Sequence, residues 1–172
     1  MPGLRYGKGP NGEFEVNATE SGKGANAQVL VEAITKTTVT TAQVLALFAT
    51  PIEIAPAPAA GFANIFRRAG IFKAAGVAYA GIAAGENLAI GYTNAAGLVV
   101  SPEIETVGFL DQTSDEFRWV EKRAVALAAV GDIEPTAAAN LVIKLEDAEI
   151  TTGDSDLIVW CYYDVVPIVL TV

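Results

Sequence analysis

From residue 37 onward the chain repeats one pattern: a short apolar run rich in Val, Ile, Leu and aromatic residues, then a cluster of Gly, Asn, Asp or Pro, and then the next apolar run. Such a pattern is typical of strands separated by turns. Roughly eight to ten strands fit, at a spacing of about 8–14 residues, which is typical of a sandwich or jelly roll. We therefore predict an all-β fold, a jelly-roll or β-sandwich domain over residues 29–172.

The end of the chain carries the clearest element of this pattern. Residues 152–156 read Thr-Gly-Asp-Ser-Asp and precede a β-branched and aromatic run over residues 157–167, which predicts a hairpin turn followed by a strand. Alternation along a strand places side chains on two faces. One face carries Leu157, Val159, Cys161 and Tyr163, and the other carries Ile158, Trp160 and Tyr162. Because both faces are apolar, we expect both to be covered.

Several further elements carry local signals. Thr41–Leu47 is predicted to form a helical turn, and the Pro51 that begins residues 50–54 favours an edge strand there. The long run Phe62–Ala74 breaks its alternation at Arg67-Arg68, which predicts a bulge. The remaining predicted strands are Val29–Ile34, Thr37–Thr41, Asn87–Tyr92, Leu98–Ser101, Ile104–Leu110, Phe117–Val130 and Asn140–Leu145. Within Phe117–Val130, residues 124–128 could instead form a helix by propensity, but the neighbouring residues favour a strand.

Residues 1–28 differ from the rest and are predicted to form an extended N-terminal arm. They are rich in Gly, Pro and Asn, with balanced charges. This composition cannot bury enough apolar surface to offset the entropy lost on ordering. The segment is therefore either a disordered tail or an arm that orders against a partner, with Tyr6 and Phe14 as its anchors.

Charge and composition narrow the class of partner. A net charge of −9 argues against nucleic acid and against anionic membranes. Only 18% of residues are charged, so either part of the surface is covered in use or the chain is simply an Ala-rich, thermotolerant domain. The single cysteine, Cys161, is expected to be a small buried hydrophobe. We expect neither a signal peptide at residues 1–10 nor a transmembrane helix, because no apolar stretch is long enough.

The chain offers little catalytic chemistry. It has no histidine, which removes the commonest general base and metal ligand and rules out Ser-His-Asp and Cys-His arrangements. The glycines at positions 7, 9 and 12 match a dinucleotide-binding spacing but neither follow a predicted strand nor open a helix. We predict that the protein is not an enzyme, with no catalytic residues, no cofactor and no metal.

Two carboxylate groupings remain as alternatives. One is a possible calcium site, held either by Asp154 with Asp156 or by Asp111 with Asp115 and Glu116. Acids at such positions are usually ordinary turn residues.

The other grouping is Glu103 with Glu105. These two residues share one face of a predicted strand, where they could form a glycosidase pair or simply face solvent.

Basic residues form two clusters in this acidic chain. One contains Arg67, Arg68 and Lys73, and the other contains Arg118, Lys122 and Arg123. Charges on strand surfaces can protect sheet edges from aggregation, and they can equally dock an acidic partner. The candidate partner-contact residues are Tyr6, Phe14, Arg67 and Arg68.

Three stretches of the sequence resemble one family. They are Thr38–Leu47 with the Pro-containing stretch that follows it, Gly108–Asp115, and the closing segment from Thr152. Together they resemble decoration (cement) proteins of tailed bacteriophage capsids, over about residues 37–167. The resemblance implies a jelly-roll-like fold without catalytic residues. It also implies a virion protein, made in the host cytoplasm, that binds the major capsid protein on the outer capsid surface.

The resemblance further implies a symmetric homo-oligomer, with a trimer slightly favoured over a dimer. The alternative function is a receptor- or carbohydrate-binding head of a phage fibre. Such heads usually present aromatic side chains at loop tips, whereas Trp119 and Trp160 lie in predicted strands, which favours the cement function. A hydrolase would require the pair Glu103 and Glu105 to be catalytic.

Overall fold

Two antiparallel sheets of four strands each form a β-sandwich in this computed structural model, which describes residues 5–8, 14–17, 32–83, 85–123 and 135–168. The predicted all-β sandwich is confirmed. The described elements are β1 (Arg5–Lys8), β2 (Phe14–Asn17), β3 (Glu32–Val39), α1 (Thr41–Leu45), β4 (Ile52–Ala55), β5 (Phe62–Lys73), β6 (Asn87–Tyr92), β7 (Ile104–Glu105), β8 (Glu116–Glu121), β9 (Leu141–Leu145) and β10 (Leu157–Pro167).

The strand order is that of a jelly roll. One sheet, the β10 sheet, has the order β3-β10-β5-β8, and the other, the β9 sheet, has the order β4-β9-β6-β7. Within the sandwich the first strand therefore pairs with the last, the second with the seventh, the third with the sixth and the fourth with the fifth. This nested pairing wraps one long antiparallel ribbon into two sheets, which is the jelly-roll arrangement.

Apolar side chains from the inner faces of both sheets form the core. The predicted inner face of β10 is confirmed, because Leu157, Val159 and Cys161 are fully buried. They belong to the same cluster as the buried side chains of β9 and β6 on the opposing sheet. The outer face of β10 is only half-buried at Ile158, Trp160 and Tyr162. The described residues thus cover one face of this strand fully and the other in part.

Local signals in the sequence were reliable. The predicted helical turn is α1, which begins with a capping box in which the Thr40 hydroxyl accepts from the Gln43 N–H. The edge strand after Pro51 is β4. The bulge in β5 is confirmed, because Tyr162 pairs with Arg68 and the next residue of β10 pairs with Phe66, leaving Arg67 as the extra residue.

The predicted closing hairpin is wrong. Strand β10 pairs with β3 and β5, whereas the preceding strand β9 lies in the other sheet. The turn at residues 152–156 therefore carries the chain from one sheet to the other. Its acids bind distant segments: Asp156 Oδ1 accepts from the Thr41 N–H at 2.7 Å, and Asp154 Oδ1 accepts from the Val77 N–H. These long-range contacts prevail over the local turn preference.

Some predicted strands are shorter than expected. Val99 makes only an isolated bridge to Gly91, and the predicted strand Ile104–Leu110 reduces to β7 because the chain turns at Gly108, whose φ is +75°. The first two predicted strands are one strand, β3, and residues 29–31 lie outside the described residues. Strand β8 ends at Glu121, and residues 124–134 lie outside the description.

The N-terminal segment contains a strand pair that was not predicted from the sequence. Strands β1 and β2 are antiparallel, with Tyr6 opposite Val16 and Phe14 opposite Lys8. Within the described part of the chain, no helix has the length and hydropathy needed to cross a membrane.

A buried carboxylate, Glu86, organises the loop that follows β9. Only 2% of the residue is exposed, and its carboxylate accepts backbone N–H groups from Glu146, Asp147 and Ala148. Truncation would remove an acceptor from three partly buried N–H groups, and an unmade hydrogen bond at such a site is costly. The Glu146 N–H also donates to the Asn87 carbonyl oxygen at 3.1 Å, so the carboxylate is the main acceptor for the other two groups.

Glu86→Ala is expected to lower the free energy of unfolding by about 2 kcal/mol. Glu86→Gln, which keeps one acceptor oxygen at nearly the same volume, should cost about half as much. Urea unfolding followed by far-UV circular dichroism measures both values. A loss below about 0.5 kcal/mol for Glu86→Ala would show that water satisfies these three donors.

Candidate binding surface

The outer face of the β10 sheet carries rows of side chains that run across all four strands. One row follows the pairing Lys36–Trp160–Gly70–Trp119. The neighbouring rows are Ile34–Tyr162–Arg68–Glu121 and Thr38–Ile158–Phe72–Phe117. We call the aromatic members of these rows, Phe72, Phe117, Trp119, Trp160 and Tyr162, the aromatic face.

The aromatic face is substantially open to solvent at the β8 edge. Phe117 is 50% exposed and Trp119 is 49% exposed, while the other members are half-buried. The rings of Phe117 and Trp119 stack with centroids 6.3 Å apart and an angle of 25° between planes. Trp119 also packs against Tyr162 at 5.8 Å. Exposed aromatic side chains that form a contiguous patch mark a binding surface more often than isolated ones do.

Gly70 makes room for these rings. A Cβ atom at this position would lie 2.9 Å from Phe117 Cζ and 3.1 Å from Trp119 Cζ3. Because glycine has no Cβ, both rings can lie over the backbone of β5, where a larger residue would push them away. A glycine in a strand interior is unfavourable by itself, so its presence here indicates a close approach.

Two cations pack against the aromatic face. The Arg68 guanidinium carbon lies 4.6 Å from the centroid of the Tyr162 ring and 5.6 Å from that of Trp119, which is cation–π geometry. Lys36 Nζ lies 5.8 Å from the centroid of the Trp160 ring. Glu121 lies on one of these rows and Glu32 lies beside Arg68, so two anions accompany the two cations and the face is close to neutral although the chain carries −9.

The two arginines singled out from the sequence lie together but have different surroundings. Arg67, the bulged residue, pairs through Nε with the buried carboxylate of Asp164 at 2.6 Å. Arg68 lies on the aromatic face, and its Nη2 is 3.4 Å from Glu32 Oε2. Both line a shallow depression of mixed charge beside that face. The depression is lined by Glu32, Arg67, Arg68, Glu121, Lys122 and Asp164.

The other two candidates, Tyr6 and Phe14, lie on the paired strands β1 and β2. The structure describes the backbone register of these strands, so Tyr6 and Phe14 remain candidates on the evidence of the sequence. The third member of the first basic cluster is corrected. Lys73 is fully buried rather than a surface charge, and its Nζ donates to the carbonyl oxygens of Gln112 at 2.8 Å and Ala74 at 3.2 Å.

The acidic residues considered for calcium bind backbone N–H groups in turns. Asp111 Oδ1 accepts from the Gly108 N–H, and Asp115 Oδ1 accepts from the Ala75 N–H, both at 2.6 Å. Asp154 and Asp156 bind the chain in the same way. Among the described residues, no three acids or cysteines come together in a way that could hold a metal ion.

The carboxylates considered for glycoside hydrolysis lie at the opposite sheet. Glu103 and Glu105 are both exposed at the two-residue strand β7, and Glu103 Oε2 accepts from Asn87 Nδ2 at 3.2 Å. They line an open groove with Glu86, whose carboxylate is bound to backbone N–H groups. Partial burial raises the pKa of the neighbouring Glu146 carboxyl, and the negative charge of Glu103 adds a smaller increase.

Sequence reasoning missed the aromatic face. Its signal was present as alternating aromatic residues, Phe117 with Trp119 and Trp160 with Tyr162, within two predicted strands. What could not be read was that β5 lies between these strands and contributes Gly70. Trp119 and Trp160 lie in strands as predicted, and the Trp119 side chain is half-exposed on a sheet face.

The site is thus a neutral aromatic surface on one sheet of a jelly-roll sandwich. Comparisons of the chain with protein-family models, with curated proteins and with solved structures find no match. Jelly rolls serve as viral capsid and lectin domains among others, so function must be argued from the surface itself.

Proposed function

We propose that this protein is a structural virion protein that binds the outer surface of a tailed-phage capsid and stabilises junctions between major capsid protein subunits. The observation that carries the proposal is the aromatic face. A surface of stacked, half-exposed rings without net charge is suited to lying against another protein surface. Its centre offers the aromatic and arginine side chains that are enriched in protein interfaces.

The charge distribution supports adhesion to a repeating surface. A net charge of −9 keeps free copies apart in solution, whereas the neutral aromatic face can approach a shell without strong repulsion. Burial of Phe117 and Trp119 removes apolar area from water at about 25 cal/mol per Å². Contact across a junction between two subunits stabilises the assembled state over the separated one, because the bound protein has affinity for that state alone.

The N-terminal segment can extend the same contact. In this proposal Tyr6 and Phe14 anchor an arm that lies along the shell, and Arg68 contributes at the aromatic face. An arm that orders on binding loses entropy but can wrap a large surface, so it slows dissociation more than it speeds encounter.

Co-sedimentation with purified capsids of the phage that encodes this chain tests the proposal. The full-length protein should pellet with intact capsids in saturable amounts and remain in the supernatant with capsids of an unrelated phage. Cryo-electron microscopy of decorated particles should then show added density on the outer surface at subunit junctions. Failure to pellet with its own capsids at micromolar concentration would contradict the proposal.

A second candidate, a carbohydrate-binding head of a phage fibre, is favoured by one observation. The planes of Phe117 and Trp119 are inclined by only 25° and are open to solvent, so the pair could stack against sugar rings. A glycan array probed with the full-length protein separates the two functions. A receptor head should bind specific glycans and leave capsids unbound, whereas a cement protein should do the reverse.

A further inference from the structure

We propose that strand β3 is a self-pairing edge, at which two copies of this chain join antiparallel about Ile34 to form a two-fold dimer with a continuous eight-stranded sheet. This inference goes beyond the proposed capsid function and does not depend on it. The evidence is the exposure of β3, its charge pattern and the geometry of antiparallel pairing.

As far as the structure describes the chain, strand β3 is the least protected of the four edges of the sandwich. Strand β7 has two residues, and β4 has four residues between Pro51 and Pro56. In β8 three of six residues are charged: Glu116, Arg118 and Glu121. By contrast β3 has eight residues, contains no Pro or Gly, and carries only two charges. Natural edge strands are usually shortened, bulged or charged to prevent pairing, and β3 has little of this protection.

Symmetry restricts how two copies of β3 can pair. A two-fold axis that relates antiparallel strands in one sheet is perpendicular to that sheet, so outward side chains of both copies point to the same side. Directly opposed residues must therefore both point outward or both inward, which requires one residue to face its own copy. The outward residues of β3 are Glu32, Ile34, Lys36 and Thr38, each of them exposed.

Charge complementarity favours one of these registers, since centring on Thr35 would place Ile34 opposite Lys36 and leave Glu32 opposite Thr38, with no pair of opposite charges. When Ile34 faces its own copy, Glu32 lies opposite Lys36 of the second copy, and the same pair forms again on the other side of the axis. Ile34 is 58% exposed in the single chain, and this register covers it with an identical side chain. Centring on Lys36 would instead oppose two like charges, which is unfavourable across strands.

The dimer would present both aromatic faces on one side of the molecule. Because the axis is perpendicular to the β10 sheet, the two copies of the aromatic face lie side by side rather than back to back. Two linked contact faces bind a repeating surface more tightly than one does, since the second contact forms at a high effective concentration. Among the described residues this register pairs residues 32–36 of both copies, and a two-fold contact of this kind is closed, so the assembly stops at two copies.

Disulfide trapping tests the register directly. In the proposed dimer the two Ile34 residues face each other at a Cα–Cα distance of about 4.5–5.5 Å, which a disulfide can bridge. Ile34→Cys should therefore form a covalent dimer under mild oxidation. Thr38→Cys is the matched control, since this residue lies on the same face of the same strand, yet its two copies would be about 26 Å apart.

The native cysteine does not interfere with this experiment. Cys161 is fully buried, and burial raises the pKa of its thiol to about 12, so its reactive thiolate is absent near neutral pH. Non-reducing electrophoresis should show a dimer band for Ile34→Cys alone. Equal cross-linking of both variants, or none with Ile34→Cys, would overturn the proposed register.

A charge swap tests the same interface without covalent chemistry. Glu32→Lys or Lys36→Glu alone should raise the dimer dissociation constant on the order of tenfold, because each places like charges opposite each other twice. The double swap Glu32→Lys with Lys36→Glu should restore dimerisation. Glu105→Lys, the same charge change as Glu32→Lys at an exposed residue of β7 in the opposite sheet, is the control and should leave dimerisation unchanged.

Analytical ultracentrifugation of the full chain between about 1 and 100 µM reads out these constants, and melting temperatures confirm that each variant is folded. A wild-type protein that stays monomeric over this range, or one that forms a trimer, would overturn the proposal. So would a dimer that both single reversals leave intact.

Discussion

Replacing Phe117 and Trp119 together by serine should lower the affinity for capsids by about 100-fold, which corresponds to roughly 2.7 kcal/mol. Both rings are about half exposed in the single chain, so binding can still remove much of their surface from water. Truncation of central aromatic side chains costs about 2 kcal/mol or more each at hot spots, and such losses are not additive.

The same change should affect folding much less. The two rings pack on each other, on Tyr162 and over Gly70, but they lie outside the core. Loss of such an aromatic contact costs about 0.5–1.5 kcal/mol. Retention on capsids, measured by co-sedimentation over a range of protein concentrations, should therefore fall while the melting temperature changes by only a few degrees.

A matched control keeps the number of exposed apolar side chains equal. Leu98→Ser with Val107→Ser alters two residues that are 47% and 61% exposed but lie away from the aromatic face, near the β9 sheet. This variant should decorate capsids as the wild type does. If the variant altered at Phe117 and Trp119 were retained as tightly as the control, the capsid contact would lie elsewhere on the molecule.

The local features of this fold could be predicted from the sequence because they depend on neighbouring residues. The helical turn α1, the Pro-flanked edge strand β4 and the bulge at Arg67 each follow from a short stretch of chain. Alternation along residues 157–163 also separated the buried face of β10 from the half-buried one. In each case the local preference and the tertiary structure agree.

The features that failed depend on contacts between distant residues. Nothing local distinguishes a turn that closes a hairpin from one that carries the chain to another sheet, and here Asp156 accepts from the N–H of Thr41, which is far away in the sequence. Lys73 was expected to be a surface charge, but its ammonium group is buried and donates to the carbonyl oxygens of a distant loop and of the neighbouring residue. Both errors arise because the hydrogen-bond partners are distant in the sequence, and their positions in space cannot be read from the sequence alone.

The candidate surface was predictable only in part for the same reason. Arg68 was identified from its place in a basic pair, yet its aromatic neighbours come from β8 and β10, far along the chain. Alternation shows that Trp119 and Trp160 each share a face with other aromatic residues of their own strand. That these two faces are one surface follows from the nested strand order, which a list of strands does not determine.

Raising the pH above about 9 should destabilise the protein steeply. Burial raises the pKa of the Cys161 thiol from 9.0 to about 12. It likewise raises the pKa values of the Tyr79 and Tyr92 hydroxyls from 10.0 to about 12. These hydroxyls donate to the carbonyl oxygens of Ser155 and Asn64, which a phenolate could not do. All three groups therefore keep their protons in the folded state.

The direction of the effect follows from proton binding. Above about pH 9 the unfolded chain releases the Cys161 proton while the folded chain retains it, so the unfolded state gains stability. The stabilising contribution is complete below this pH and is lost as the pH approaches about 12. Each such group lowers the free energy of unfolding by about 1.4 kcal/mol per pH unit. The decline should therefore steepen above pH 10, where the unfolded chain also releases the protons of Tyr79 and Tyr92.

Urea unfolding of the full chain at pH 7.5, 9, 10 and 11 measures this decline. Cys161→Ala, although less stable at neutral pH because it leaves a small cavity, should flatten the curve between pH 9 and 10. Tyr92→Phe should leave that interval unchanged and flatten the curve above pH 10, since it removes a later titration. A wild-type free energy of unfolding that stays constant from pH 8 to 11 would show that these groups ionise as readily in the folded state as in the unfolded chain.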